Sequence, residues 1–225
     1  RLWKADRFVF EFGGFKFIGI HQGPLMKMGD GHFAPQDVRW LDGVLAQTDK
    51  NQPLIFITHY PLDEQIDNWF EVLDRLKQFN TQAVLVGHLH RNEGSSYEGV
   101  PGVVGRSNLS NKNTPAGYNI VEIKDGRITF SERNPGGPAA APWHSVPLGK
   151  RDFTADKTVY PRPDYSVNAK HPGVKPKWRF STDYTIASSP ALWKNTAIVG
   201  DASGAVYGLS LADGKPQWTF KAKNA

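Results

Sequence analysis

The chain has no cysteine in 225 residues, which excludes disulfides and thiolate–zinc sites while leaving the redox compartment open. It also has no apolar run long enough to cross a bilayer as a helix. Runs of like charge are lacking as well. The 27 Lys and Arg and 22 Asp and Glu are dispersed, and the net charge of +5 comes without basic runs. Nucleic-acid binding is therefore not indicated, and the surplus reads as a solvated surface. Aromatic residues are plentiful: seven Trp and thirteen Phe, within an apolar content of 39%. Such a chain folds as a globular protein with room for one or two cored domains.

Two apolar runs end on histidine. Leu54-Ile55-Phe56-Ile57-Thr58 leads into His59-Tyr60-Pro61, and Ala83-Val84-Leu85-Val86 into Gly87-His88-Leu89-His90. Both runs are short and stopped by Gly or Pro, the pattern of a strand buried on both faces. Between them Ile66, Trp69, Phe70, Leu73, Leu76 and Phe79 recur at helical spacing. Strand, helix and strand in so few residues predict a crossover with two parallel strands. Parallel strands finish at one sheet edge, where open α/β sheets carry their ligand sites. A lone histidine after a strand is usually a loop or structural residue. Three at two neighbouring strand ends, two of them in Gly-His-X-His, favour a metal site.

Thr58-His59-Tyr60-Pro61 followed by Gly87-His88-Leu89-His90 resembles the last two signature motifs of the calcineurin-like metallophosphoesterases. Arg7 to Phe12 and Phe15 to Ile20 look like the hairpin that precedes those motifs, and Gln36-Asp37-Val38-Arg39-Trp40-Leu41 resembles the family's next helix. The resemblance covers about Phe8 to Arg133. It implies that His59 and His88 bind one metal ion and His90 a second, in a pair of Mn, Fe or Zn ions. The activity implied is hydrolysis of phosphoesters by a metal-bound hydroxide. His21 and His32, near the implied substrate opening, are weaker candidates for contact with a phosphate oxygen. The family's Asp-X-His, Gly-Asp-X-X-Asp and Gly-Asn-His-Asp/Glu motifs are absent, so no catalytic acid is assigned. Gly29-Asp30-Gly31-His32 is a decoy, since it lies after the hairpin and lacks the second Asp. Imidazoles alone do not supply the carboxylate charge that two divalent cations require. The expectation is a fragment truncated at both ends and inactive as it stands, with the activity belonging to its parent.

After the His-rich edge, Gly102 to Gly105, Tyr118 to Ile123 and Arg127 to Phe130 read as strands, the last two joined by an Asp125-Gly126 turn. Asn134 to Pro142 reads as a turn-rich exit loop. From Gly149 to about Pro176 the chain is polar, Pro-studded and without periodicity, the pattern of an interdomain linker. Beyond it Trp178-Arg179-Phe180 recurs as Trp218-Thr219-Phe220, with short strands and Asp/Gly turns between. This stretch resembles the β-propeller repeat of quinoproteins, about one blade long, and no quinone is expected. Trp178 and Trp218 would be blade-packing residues.

The expected fold is thus a partial α/β layered metallophosphoesterase sandwich over residues 1–148, a linker over 149–176, and a partial antiparallel propeller blade over 177–225. The expected function is phosphoester hydrolysis by a dinuclear metal enzyme, phosphatase or phosphodiesterase. The alternative is a cell-envelope binding protein, its propeller recognising a protein partner and its phosphoesterase part a degenerate scaffold. The propeller resemblance implies a periplasmic or secreted home.

Overall fold

The computed structural model describes residues 7–21, 31–110, 115–164, 166–186 and 188–223. Gly29 and Asp30 of the Gly-Asp-Gly-His decoy lie outside these residues. The chain divides into two compact units, one of residues 1–33 and 40–160 and one of residues 34–39 and 161–225.

The first unit opens with a hairpin, β1 (Arg7–Phe12) and β2 (Phe15–Ile20), paired in antiparallel register with Phe8 opposite Gly19. Gly19 is required there because the Phe8 ring occupies the space of a Cβ. Helix α1 (Pro35–Ala46) follows; its residues 40–46 belong to this unit and bury Leu41 and Leu45. Then come β3 (Leu54–Ile57), helix α2 (Trp69–Leu76) and β4 (Thr81–Val86). The expected crossover is present: β3 and β4 are parallel, with Ile57 beside Leu85, and α2 buries Val72, Leu73 and Leu76. Ile66 is buried ahead of the helix in a lone bridge to Gly31, and Phe79 lies beyond its end, so the apolar spacing overstated the helix at both limits. Next are β5 (Glu93–Tyr97) and β6 (Val100–Val104), which complete a six-stranded mixed sheet in the order β1-β2-β3-β4-β6-β5. Strands β2, β3, β4 and β6 are mutually parallel, and the antiparallel β1 and β5 close the two edges.

A second layer consists of β7 (Tyr118–Lys124), β8 (Arg127–Arg133) and β9 (Ala139–Pro147). The turn between β7 and β8 has positive φ at both Asp125 (49°) and Gly126 (71°), as an Asp-Gly hairpin turn demands. Strand β9 corrects the expected exit loop. Only residues 134–137 turn, and the Ala-rich run after them pairs with β8, Arg133 facing Ala139. Alanines and an edge proline gave no strand signal, yet an edge position tolerates both. Ile128, Phe130 and Val146 of this layer pack on Ile55, Ala83 and Val103 of the six-stranded sheet, so the core lies between the two sheets. Part of the expected linker belongs to this unit. Gln82 Nε2 donates to the Gly149 carbonyl at 2.8 Å, the Arg151 N–H donates to Asn80 Oδ1 at 2.8 Å, and Lys77 Nζ lies 4.5 Å from the Tyr160 ring centre.

The second unit holds a short 3-10 helix (Ser166–Lys170) and a four-stranded antiparallel sheet in sequential order. Its strands are β10 (Ala191–Trp193), β11 (Thr196–Gly200), β12 (Ala205–Ser210) and β13 (Pro216–Lys221). Ala197, Val199 and Leu209 form its small core under Trp178, Phe180, Tyr207 and Leu211. The expected four strands are there, as one sheet; the described residues form no propeller.

Candidate functional site at the carboxyl ends of strands β3 and β4

The parallel pairing of β3 and β4 continues for one step beyond both strands. The Thr58 N–H donates to the Leu85 carbonyl at 3.0 Å and the Gly87 N–H to the His59 carbonyl at 2.9 Å. Thr58 Oγ1 donates to the Ile20 carbonyl at 2.9 Å, tying in the end of β2. His59 and the Gly-His-X-His turn are thereby fixed side by side. The rings of His59 and His88 stand 5.3 Å apart, nearly perpendicular at 79°. Tyr60, buried, meets both: edge-on to His59 at 5.2 Å and tilted over His88 at 4.1 Å.

The turn carries an unusual backbone. His88 and His90 both have positive φ, 63° and 56°. The Leu89 N–H donates to the Gly87 carbonyl at 2.7 Å, which closes a three-residue turn on His88 in its strained, positive-φ form. Non-glycine residues in this region cost about 1–2 kcal/mol each and persist where their surroundings hold them.

Partial burial pushes the His59 imidazole below its ordinary 6.5, reinforced by repulsion from His88, His21 and His90 in that order. At neutral pH His59 is therefore the uncharged form, the one that donates a lone pair to a metal. His21 lies exposed just past β2. His32 is placed otherwise. The Gly31 N–H donates to the Gln65 carbonyl at 2.8 Å, the Asp67 N–H donates back to Gly31 at 3.1 Å, and His32 Nδ1 then lies 2.7 Å from Asp67 Oδ1. Asn68 secures the next residue, accepting from the Phe33 N–H and donating to the Phe33 carbonyl, each at 2.9 Å.

The structure thus brings His59 and His88 into ring contact, sets His21 just past β2 and His90 at the end of the Gly-His-X-His turn, and turns His32 to a carboxylate. Among the described residues no group of three or more His, Asp or Glu side chains is gathered as a metal would need. The imidazoles are suitable donors, but they do not by themselves fit a two-metal centre, which requires carboxylate charge. Sequence reasoning missed Tyr60 as the wall of the site and Asp67 as the partner of His32. Tyr60 stands inside the quoted Thr-His-Tyr-Pro motif and could have been found there; Asp67 comes from a separate turn and had no signal.

No protein-family model matches the chain, and no curated protein matches it. Among solved structures it is similar to GAP50, the anchor in the inner membrane complex of Plasmodium, at 14% identity and a TM-score of 0.43, covering 65% of this chain and 55% of that one. It is similar to a conserved uncharacterized protein of Streptococcus pneumoniae described as a predicted phosphoesterase, at 14% identity and a TM-score of 0.32, covering 62% of this chain and 60% of that one. It is also similar to a single-mutant Vps29 from Entamoeba histolytica, at 17% identity and a TM-score of 0.26, covering 56% and 52%. The chain spans between half and two thirds of the length of each of these three chains.

Proposed function

We propose that this chain contributes the imidazole side of a metal-dependent phosphoester hydrolase, with His59, His88 and His90 as the metal ligands it supplies. The observation that carries this reading is the pair of parallel strands whose ends bring His59 and His88 to ring centroids 5.3 Å apart beside a strained Gly-His-X-His turn. Backbone strain at the strand ends, the lowered His59 imidazole and a ligand-prone strand end all favour function over packing. The carboxylate ligands must then come from outside the described residues, and the metals (Mn, Fe or Zn) are those suited to mixed imidazole and carboxylate donors. His21 is a candidate for contact with a phosphate oxygen at this edge, and His32 a weaker one, since Asp67 already engages it.

One observation favours a second reading, a binding protein on a degenerate phosphoesterase scaffold: no complete metal-holding group exists among the described residues. The exposed Leu192, Trp193, Trp218 and Phe220 of the second unit would then face a protein partner in the cell envelope. A single propeller-type repeat is the source we propose for this sheet.

Metal content of the intact protein after reconstitution separates the two. At least one equivalent of Zn or Mn, with His88→Ala lowering aryl phosphate hydrolysis by orders of magnitude and leaving the fold intact, is the expected result. Binding of less than one equivalent, or full activity in His88→Ala, rejects the hydrolase reading in favour of the binder.

A further inference from the structure

His90 has a second neighbourhood. A cavity of about 510 Å³ opens beside it, lined also by Arg91, Asn92, Arg106, Ser107, Leu109, Ser110 and Glu132. We infer that this cavity is a subsite for a sugar or polyol group carried by the phosphoester substrate. The inference rests on the phosphoesterase reading of the histidine edge and adds to it the chemistry of the alcohol.

Size is the first argument. Sites for small organic ligands occupy roughly 300–1,000 Å³, and a phosphate alone leaves most of such a space empty. Sharing His90 with the proposed ligand set, the cavity is where a group attached to a phosphoryl at that edge would extend.

Charge is the second. Arg106, its side chain only 6% exposed, forms an ion pair with Glu132 and donates from Nε to the Ser107 carbonyl at 3.2 Å. Arg91 Nε lies 2.5 Å from Glu93 Oε2. Each cation already has a carboxylate, so the wall offers a second anion no unbalanced charge. With those groups engaged, the wall offers the Ser107 and Ser110 hydroxyls, which both donate and accept, and a ligand hydroxyl is the group that matches them.

Rigidity is the third. Asn92 Oδ1 accepts from the Arg106 N–H at 3.0 Å and from Asn119 Nδ2 at 2.8 Å, and Asn92 Nδ2 donates to Glu132 Oε2 at 2.9 Å. Trp143 Nε1 donates to Asn119 Oδ1 at 3.1 Å, anchoring the network in β9. A wall ordered in advance loses little freedom when a ligand binds.

The test is NMR titration of the intact protein, reconstituted with zinc, with inorganic phosphate, glucose 1-phosphate and phenyl phosphate. Glucose 1-phosphate should move the backbone amides of Asn92, Ser107 and Ser110 together with the His59 and His88 ring signals, and bind roughly tenfold more tightly than inorganic phosphate. Ser110→Trp, at an exposed position, should remove the amide response and the tenfold gain while leaving the ring response to phosphate. The inference fails if glucose 1-phosphate leaves those amides unmoved, if phenyl phosphate moves them equally, or if Ser110→Trp changes nothing. Amides that respond beside silent histidine rings would instead sink the phosphoesterase reading and keep a carbohydrate site.

Discussion

The Tyr60 ring lies over the His88 ring, centroids 4.1 Å apart and planes tilted by 34°. Tyr60 is buried, so it acts as a fixed wall that limits where the imidazole of a strained residue can turn. Tyr60→Ala should cost about 3 kcal/mol of stability by urea denaturation, the usual loss for a buried aromatic. It should also weaken zinc binding about tenfold, because orienting groups around metal ligands carry effects of that size. Tyr60→Phe keeps the ring and should keep most of the affinity. Equal zinc affinity in Tyr60→Ala and the parent would show that the wall does not orient His88.

The positive φ of His88 makes a separate prediction about cost. Glycine adopts φ near 63° freely, whereas alanine meets the same steric penalty as histidine. His88→Gly should therefore unfold at higher urea than His88→Ala, by about 1 kcal/mol, with zinc binding reduced alike in both. A histidine kept where glycine is more stable is there for its ring. If the two variants are equally stable, the backbone at this position is not strained.

The third prediction concerns pH. The folded value of His59 lies below the ordinary 6.5, first from burial and then from its neighbouring imidazoles. Between the two values the unfolded chain binds a proton that the folded chain refuses, so stability rises with pH there. The contribution is whole above 6.5 and is lost as pH falls through the folded value. An NMR titration of the ring should give a midpoint under 6.5, and His88→Ala should move it upward by removing the largest neighbouring charge. A midpoint at or above 6.5 in the parent would contradict this.

How much of this was legible in the sequence depends on whether one element carried the signal. The crossover was legible because β3 and β4 are buried on both faces and read as continuous apolar runs. The nearness of His59 and His88 followed from parallel pairing alone. Strand β9 was not legible, since Ala139 to Ala141 and Pro142 have low strand propensity and pair only because β8 offers a partner edge. Strand β5, with Gly94, Ser95 and Ser96, was hidden for the same reason. The Arg106, Asn92 and Glu132 network was invisible because its members come from three separate segments and meet only after the two sheets pack. The positive φ at His88 and His90 had only faint hints, in Gly87 and in the enrichment of histidine among the few non-glycine residues that adopt it.

In the second unit the decisive contact is Trp178 on Gly214. Gly214 has φ 73°, and a Cβ there would stand 2.5 Å from the Trp178 ring. Trp178 also donates from Nε1 to the Leu211 carbonyl at 3.0 Å, so its ring is held at both ends and does not swing aside. Gly214→Ala thus incurs backbone strain of about 1–2 kcal/mol and displaces the side chain that covers Leu209 and Val199. A core of three buried residues has little stability in reserve. The variant should lose protection from protease between residues 178 and 221 while β1 to β9 stay protected, read by limited proteolysis with mass spectrometry. If instead both units become susceptible together, the four-stranded sheet is not an independent folding unit, and Trp178 stabilises more than the sheet it covers.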